Sequence, residues 1–124
     1  MIDFKTFAHL AHIDLGEPQP KPTSVEGDQL EAANTLWTSE DGKIEVGVWE
    51  CSQGRFTARR DTNSEICHIV SGRVTLHGPD GAAKDVGPGE LLVLPLGWEG
   101  EWTIHEKRAS FTSCIRPDRR SGCR

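Results

Sequence analysis

The stretch from Gly54 to Gly72, GRFTARRDTNSEICHIVSG, constrains this chain more than any other. Phe56, Ala58, Arg60 and Thr62 recur at every second position, Asp61 to Ser64 is polar, and Glu65, Cys67 and Ile69 alternate again before a glycine. That pattern predicts two strands joined by a turn. Residues two apart on a strand share a face, so Arg60 and Thr62 are expected to point into the same space as Glu65 and Cys67.

The rest of the chain has to fold around that pair. With 124 residues it makes one domain, 1–124, large enough to bury a core without staples. Thirteen glycines and seven prolines punctuate short apolar runs, which favours many turns and strands over long helices, so the expected class is all-β. Residues 1–28 read as an N-terminal extension and a proline-rich connector. The first sixteen are ambiguous between helix and strand, and Glu17 to Pro22 is expected to be an extended connector that crosses the outside of the barrel and cannot pair inside a sheet, because its prolines lack amide donors. Residues 29–38 are a short amphipathic piece or a strand, and Ile44, Val46 and Val48 alternate as a strand. Glu50 to Gly54 is expected to turn the chain into the central pair.

Downstream, Arg73 to His77 is a strand, Gly78 to Gly81 a hairpin turn, and Val86 to Gly89 another reversal. Leu91 to Leu94 is an unbroken apolar run, expected to be covered on both faces as in a sandwich or an oligomer. Beyond it, Gly100, Trp102 and Ile104 fall in one inward phase, and Ala109 to Ile115 alternates as a last strand with Phe111 and Ser113 on one side. The tail, 117–124, has nothing apolar to bury and is expected to be mobile. About eight to ten antiparallel strands fit a two-sheet jelly roll.

Charge and cysteines exclude several classes. Fourteen basic against nineteen acidic residues give a net charge of -5, without the clustered basic face that nucleic acid requires. No apolar run approaches the roughly 20 residues that span a bilayer, and the start lacks the pattern of an export signal, so a cytoplasmic protein is expected. The cysteines, Cys51, Cys67, Cys114 and Cys123, form no C-x-x-C pair and read as free thiols.

Gly54 through Glu65 to Gly72, followed by Gly89-Glu-Leu-Leu-Val-Leu-Pro95-Leu-Gly97, resembles the two motifs of the cupin family. The first motif normally carries His-x-His before its glutamate and the second a histidine after Pro-x-Gly. Here Arg60 and Thr62 stand at the first pair and Gly100 at the second, so that only Glu65 remains of the metal-binding set. Gly47-Val-Trp49-Glu50, the Glu65 to Gly72 run and Pro95-Leu-Gly97-Trp-Glu-Gly100-Glu-Trp102 are similar to single-domain relatives of the cupin domain of (S)-ureidoglycine aminohydrolase. The resemblance implies a cupin-type double-stranded β-helix. It also implies ammonia release from an allantoin-derived substrate, with manganese held by a Glu, two His and a Gln, a set this chain does not match.

The candidate ligand site is Arg60, Thr62, Glu65, Cys67, Trp98 and Trp102 at the barrel mouth. Arg60 and Glu65 can pair and simply neutralise the interior. Alternatively, Arg60 binds a carboxylate or ureido oxygen of a small metabolite while Glu65 accepts N–H groups or takes a proton as the catalytic residue. Trp98 and Trp102 then form an aromatic wall, or are core. Cys67 is a nucleophile or a small buried hydrophobe. No metal ligand is assigned and no cofactor expected, since a cation beside Arg60 is electrostatically opposed; manganese, zinc or nickel is the alternative. His9 and His12 are a metal pair only if they share a helix face; for them, His77 and His105 structural roles are the default. The outcome expected is a homodimeric binder or metal-independent enzyme acting on a small polar metabolite, or else a sensory or structural module.

Overall fold

The structure is a computed structural model that describes residues 2–117, without the side chains of residues 107, 108, 113, 114, 116 and 117. From Asp118 onward the tail expected to be mobile, with Cys123, lies outside the described residues, and so do the Cys114 thiol and the facing of Ser113.

The all-β expectation holds. Among the described residues nine strands run β1 (Gln19–Pro20), β2 (Ser24–Glu26), β3 (Leu30–Thr38), β4 (Glu45–Arg59), β5 (Asn63–Ser71), β6 (Val74–His77), β7 (Ala83–Val86), β8 (Leu91–Leu94) and β9 (Glu99–Pro117). Every pairing among them is antiparallel. The single helical element among the described residues is the 3₁₀ turn Leu10–His12, so none is long and apolar enough to cross a membrane.

Two long strands organise the sheet, whose path is β1-β3-β4-β9-β5-β8, with β2 on β4 and the β6–β7 hairpin on β9. β4 and β9 pair from Glu45↔Ile115 to Ser52↔Arg108, shift register, and resume from Gly54↔Ile104 to Arg59↔Glu99. On its other edge β9 meets β5 along Ser110 to Pro117 and β6 along Glu101 to Ile104. The strand therefore changes neighbour at the shift, and a bulge there bends the sheet toward closure.

Gly54 is what the shift requires. Its φ is 141°, and a Cβ would run into the Glu26 carbonyl oxygen and the Gln29 side chain. In sequence a bulge glycine looks like a turn, which is why Glu50 to Gly54 reads as a reversal; the structure corrects this, since β4 passes straight through. The proline-rich connector contributes a short strand. Gln19 and Pro20 pair with Glu31 and Leu30 at the sheet edge, a position where a missing amide is tolerated.

Within the chain, Leu91 to Leu94 is not covered on both faces. Leu94 is buried, but Leu91 and Val93 are 65% and 53% exposed, beside Ile66 on β5. Among the described residues the N-terminal segment forms no α-helix, only the 3₁₀ turn; His9 has a φ of 55°, and His9 and His12 are exposed.

The core is a block of four rings. Trp49 stacks on Phe111 with centroids 4.8 Å apart, Phe56 on Trp102 at 5.5 Å, and the two pairs meet edge to face. Such contacts add about 0.5–1.5 kcal/mol each beyond burial. Cys51, Cys67, Ile69, Leu94 and Ile104 close around them.

Candidate functional site

The inward phase of β4, Phe56 then Ala58, continues one step past the strand end to Arg60. What stops the strand is a long-range clasp: the Arg60 amide donates to the Trp98 carbonyl at 2.8 Å, and the Gly97 amide donates to the Arg60 carbonyl at 2.7 Å. The turn after β8 thus fixes the backbone of Arg60. Glu65 arrives from β5, between Leu94 on β8 and Ile115 on β9.

Arg60 Nη1 lies 3.2 Å from Glu65 Oε1, with the two side chains 21% and 19% exposed, while Nε donates to the Arg59 carbonyl. The N–H direction at Nη1 falls short of a hydrogen bond, so the contact is an ion pair held by charge. Both residues line a cavity of about 370 Å³, together with Trp102, Trp49, Phe56 and Lys21.

Of the residues singled out in the sequence, Arg60, Glu65 and Trp102 come together at this cavity. Thr62 does not: the sequence alternates past Arg59 although the strand has ended, and Thr62 is exposed in the turn. Trp98 packs its ring over Gly100 and against the core, outside the cavity lining. Cys67 follows the predicted phase but lies deeper, in the core beneath Glu65. Burial, then the Glu65 charge and hydrogen bond, push its thiol well up against the opposing pull of Arg60, which disfavours thiolate and any nucleophilic role. Cys51, likewise buried, is pushed up to about 11.

Lys21, Glu31, Trp49 and Phe56 escaped sequence reasoning. Lys21 lies in the proline-rich connector, which read as a passage over the outside of the barrel, and Trp49 read only as part of a motif. Away from the cavity, His105 Nε2 is 2.6 Å from the Thr75 hydroxyl, which itself donates to Asp85 at 2.6 Å, so the imidazole is the donor to Thr75. His77 Nε2 sits 3.2 Å from the Thr103 hydroxyl.

The residues present do not fit the metal of full-motif cupins. Arg60 sets a cation beside Glu65. At Gly100 the position of the second-motif histidine is sterically closed, because a Cβ there would meet the His77 carbonyl oxygen and the Trp98 ring carbons at 2.7 and 3.1 Å. Among the described residues, no group of three or more His, Cys, Asp or Glu is arranged for a metal ion.

Comparison with known structures places the fold. A protein of unknown function from Rhizobium leguminosarum aligns over 94% of this chain and all of its own, with 19% identity and a TM-score of 0.71. Clostridium difficile EutQ aligns over 72% of this chain and 69% of its own, at 21% identity and a TM-score of 0.62. The polyketide cyclase RemF from Streptomyces resistomycificus aligns over 92% and 85%, at 16% identity and a TM-score of 0.63. No curated protein matches the sequence. The model of the EutQ-like cupin domain matches residues 38–109, more than half of the length, and the chain therefore belongs to the EutQ-like cupin domain family.

Proposed function

We propose that the chain binds a small carboxylate- or ureido-type metabolite in this cavity without a metal, using Arg60 to recognise the anionic or carbonyl oxygens. The observation that carries this reading is the Arg60–Glu65 ion pair at the wall of the 370 Å³ cavity, a size suited to a small metabolite. A guanidinium offers a planar fork of donors that matches a carboxylate or a ureido oxygen, and partial exclusion of water strengthens each bond. Glu65 accepts N–H groups of the ligand or takes a proton from it. Trp102, almost wholly buried, borders the cavity beside them.

Calorimetric titration with acetate, a ureido acid and ureidoglycine tests the reading. Saturable binding that disappears in Arg60→Ala and persists in Thr62→Ala is the expected result; silence with all three ligands rejects it. Ammonia release from ureidoglycine, measured with and without manganese, then separates the activities. Turnover lost in Glu65→Gln assigns catalysis related to ureidoglycine aminohydrolase, whereas binding with no turnover assigns a non-catalytic sensory module.

A second reading concerns assembly. Ile66, Leu91 and Val93 form an exposed apolar face on β5 and β8, and β8 ends the sheet path. A second copy covering this face in a homodimer accounts for apolar side chains that the single chain leaves in water. Light scattering at micromolar concentration reads it directly, with Val93→Lys expected to give monomers; a monomeric mass for the unsubstituted chain rejects it.

A further inference from the structure

Lys21 is held as few surface lysines are. Its backbone is bonded on both sides, its amide donating to the Gln29 carbonyl at 2.9 Å and its own carbonyl accepting from Ser24 at 3.1 Å. Pro20 and Pro22 flank it and restrict its backbone. From this fixed point the side chain enters the cavity until only 13% of it is exposed.

The ammonium ends in a box. Nζ lies 4.3 Å from the centre of the Phe56 ring and 5.1 Å from that of Trp49. The two rings stand at 80° to each other with centroids 5.8 Å apart, so they form two walls meeting at a corner. Glu31 closes the box: its Oε1 lies 2.9 Å from Nζ and also accepts the Trp49 indole N–H at 3.0 Å. Two aromatic faces and an oriented carboxylate are the chemistry by which proteins recognise cationic nitrogen.

We propose that Trp49, Phe56 and Glu31 form a cage for a cationic nitrogen group, that Lys21 occupies it as a built-in ligand, and that Lys21 thereby sets the charge rule of the cavity. The filled cage excludes ligands bearing an ammonium group and admits anionic or neutral ones. This deepens the reading of the cavity as a binding site, on which it rests only for what enters at Arg60. The cage itself stands on the Lys21 contacts.

The experiment is to empty the cage and refill it. Lys21→Ala is titrated with ethylammonium and tetramethylammonium chloride, with sodium acetate as the anionic probe, and followed by thermal unfolding and tryptophan fluorescence. The unsubstituted chain is expected to ignore both ammonium ions. Lys21→Ala is expected to gain an upshift of about 4 °C at roughly tenfold excess over the dissociation constant. Lys21→Ala/Glu31→Gln is expected to lose most of that gain. A lysine that merely pins the connector predicts a lower melting temperature with no gain from any ammonium ion, and that result overturns the proposal, as does an equal response with and without Lys21. Should Lys21→Ala fail to fold alone, refolding in ethylammonium is expected to recover it, and failure to refold there counts against the cage. Failure of the Arg60 reading shows separately: acetate binding is then absent from the unsubstituted chain, while the ammonium gain persists in Lys21→Ala/Arg60→Ala.

Discussion

Replacing Gly100 with alanine tests why one motif histidine has no counterpart here. The added methyl would stand against the His77 carbonyl oxygen and at 2.7 and 3.1 Å from two carbons of the Trp98 ring. Carbon contacts settle at about 3.5–4.0 Å. The ring belongs to a half-buried side chain and can yield a few tenths of an ångström, but the carbonyl belongs to β6, which is held on one edge by β7 and on the other by β9. Overpacking usually costs about 1–3 kcal/mol, and a main-chain clash puts this case at the upper end, about 3 kcal/mol. For a domain of this size that lowers the melting temperature by about 10 °C. Urea and thermal unfolding measure it, with the urea slope expected to stay constant. Gly97→Ala is the control, because Gly97 has a φ of 94° and open space around its Cβ position, so it isolates backbone strain at about 1 kcal/mol. A loss below about 0.5 kcal/mol for Gly100→Ala refutes the steric argument and reopens the position to an imidazole.

Three further outcomes follow from the same geometry. A double-mutant cycle of Arg60→Ala and Glu65→Gln is expected to give a coupling of about 1–2 kcal/mol in denaturant unfolding, between the values for exposed and fully buried pairs; a coupling near zero shows that charge does not hold the two together. Phe111→Ala removes the ring that stacks on Trp49 and is expected to cost about 3–5 kcal/mol, so a loss under about 1 kcal/mol contradicts the four-ring core. For Cys51, burial raises the thiol from its ordinary 9.0 to about 11, so the folded chain binds this proton more tightly than the unfolded chain. Its contribution to stability is therefore complete below about pH 9 and lost as pH rises to about 11, and over that window the unsubstituted chain should lose melting temperature faster than Cys51→Ala. Equal slopes for the two contradict the assignment.

Period-two alternation made the all-β class legible, and strand phase brought Arg60 and Glu65 into one cavity on paper. The same reasoning misplaced Thr62 because phase says which way a residue faces while the strand lasts and nothing about where it stops. Here the stop is set by hydrogen bonds from the Arg60 amide to the Trp98 carbonyl and from the Gly97 amide to the Arg60 carbonyl, both residues far along the chain. Glu50 to Gly54 looks like a break, yet it is one side of a register shift inside continuous strands, whose other side lies between Ile104 and Arg108. Composition cannot tell a bulge from a turn, since both use glycine to reach positive φ. Lys21 was hidden for a different reason: prolines flag a segment as unable to pair in a sheet interior, and a short edge strand followed directly by an inward lysine satisfies that restriction.

The two motif departures are one structural change. The backbone clasp that ends β4 uses the Trp98 carbonyl and the Gly97 amide, and the same Trp98 lays its ring over Gly100, where a side chain would stand. Putting an imidazole at position 100 displaces the Trp98 ring and so disturbs the clasp that positions Arg60. Putting one at position 60 removes the guanidinium and leaves Gly100 without a matching donor. Neither substitution alone rebuilds a metal site, and each disturbs the Arg60–Glu65 pair. The guanidinium, the glycine and the indole therefore belong to a single arrangement: the Trp98 backbone fixes Arg60 at the cavity, and the Trp98 ring closes position 100.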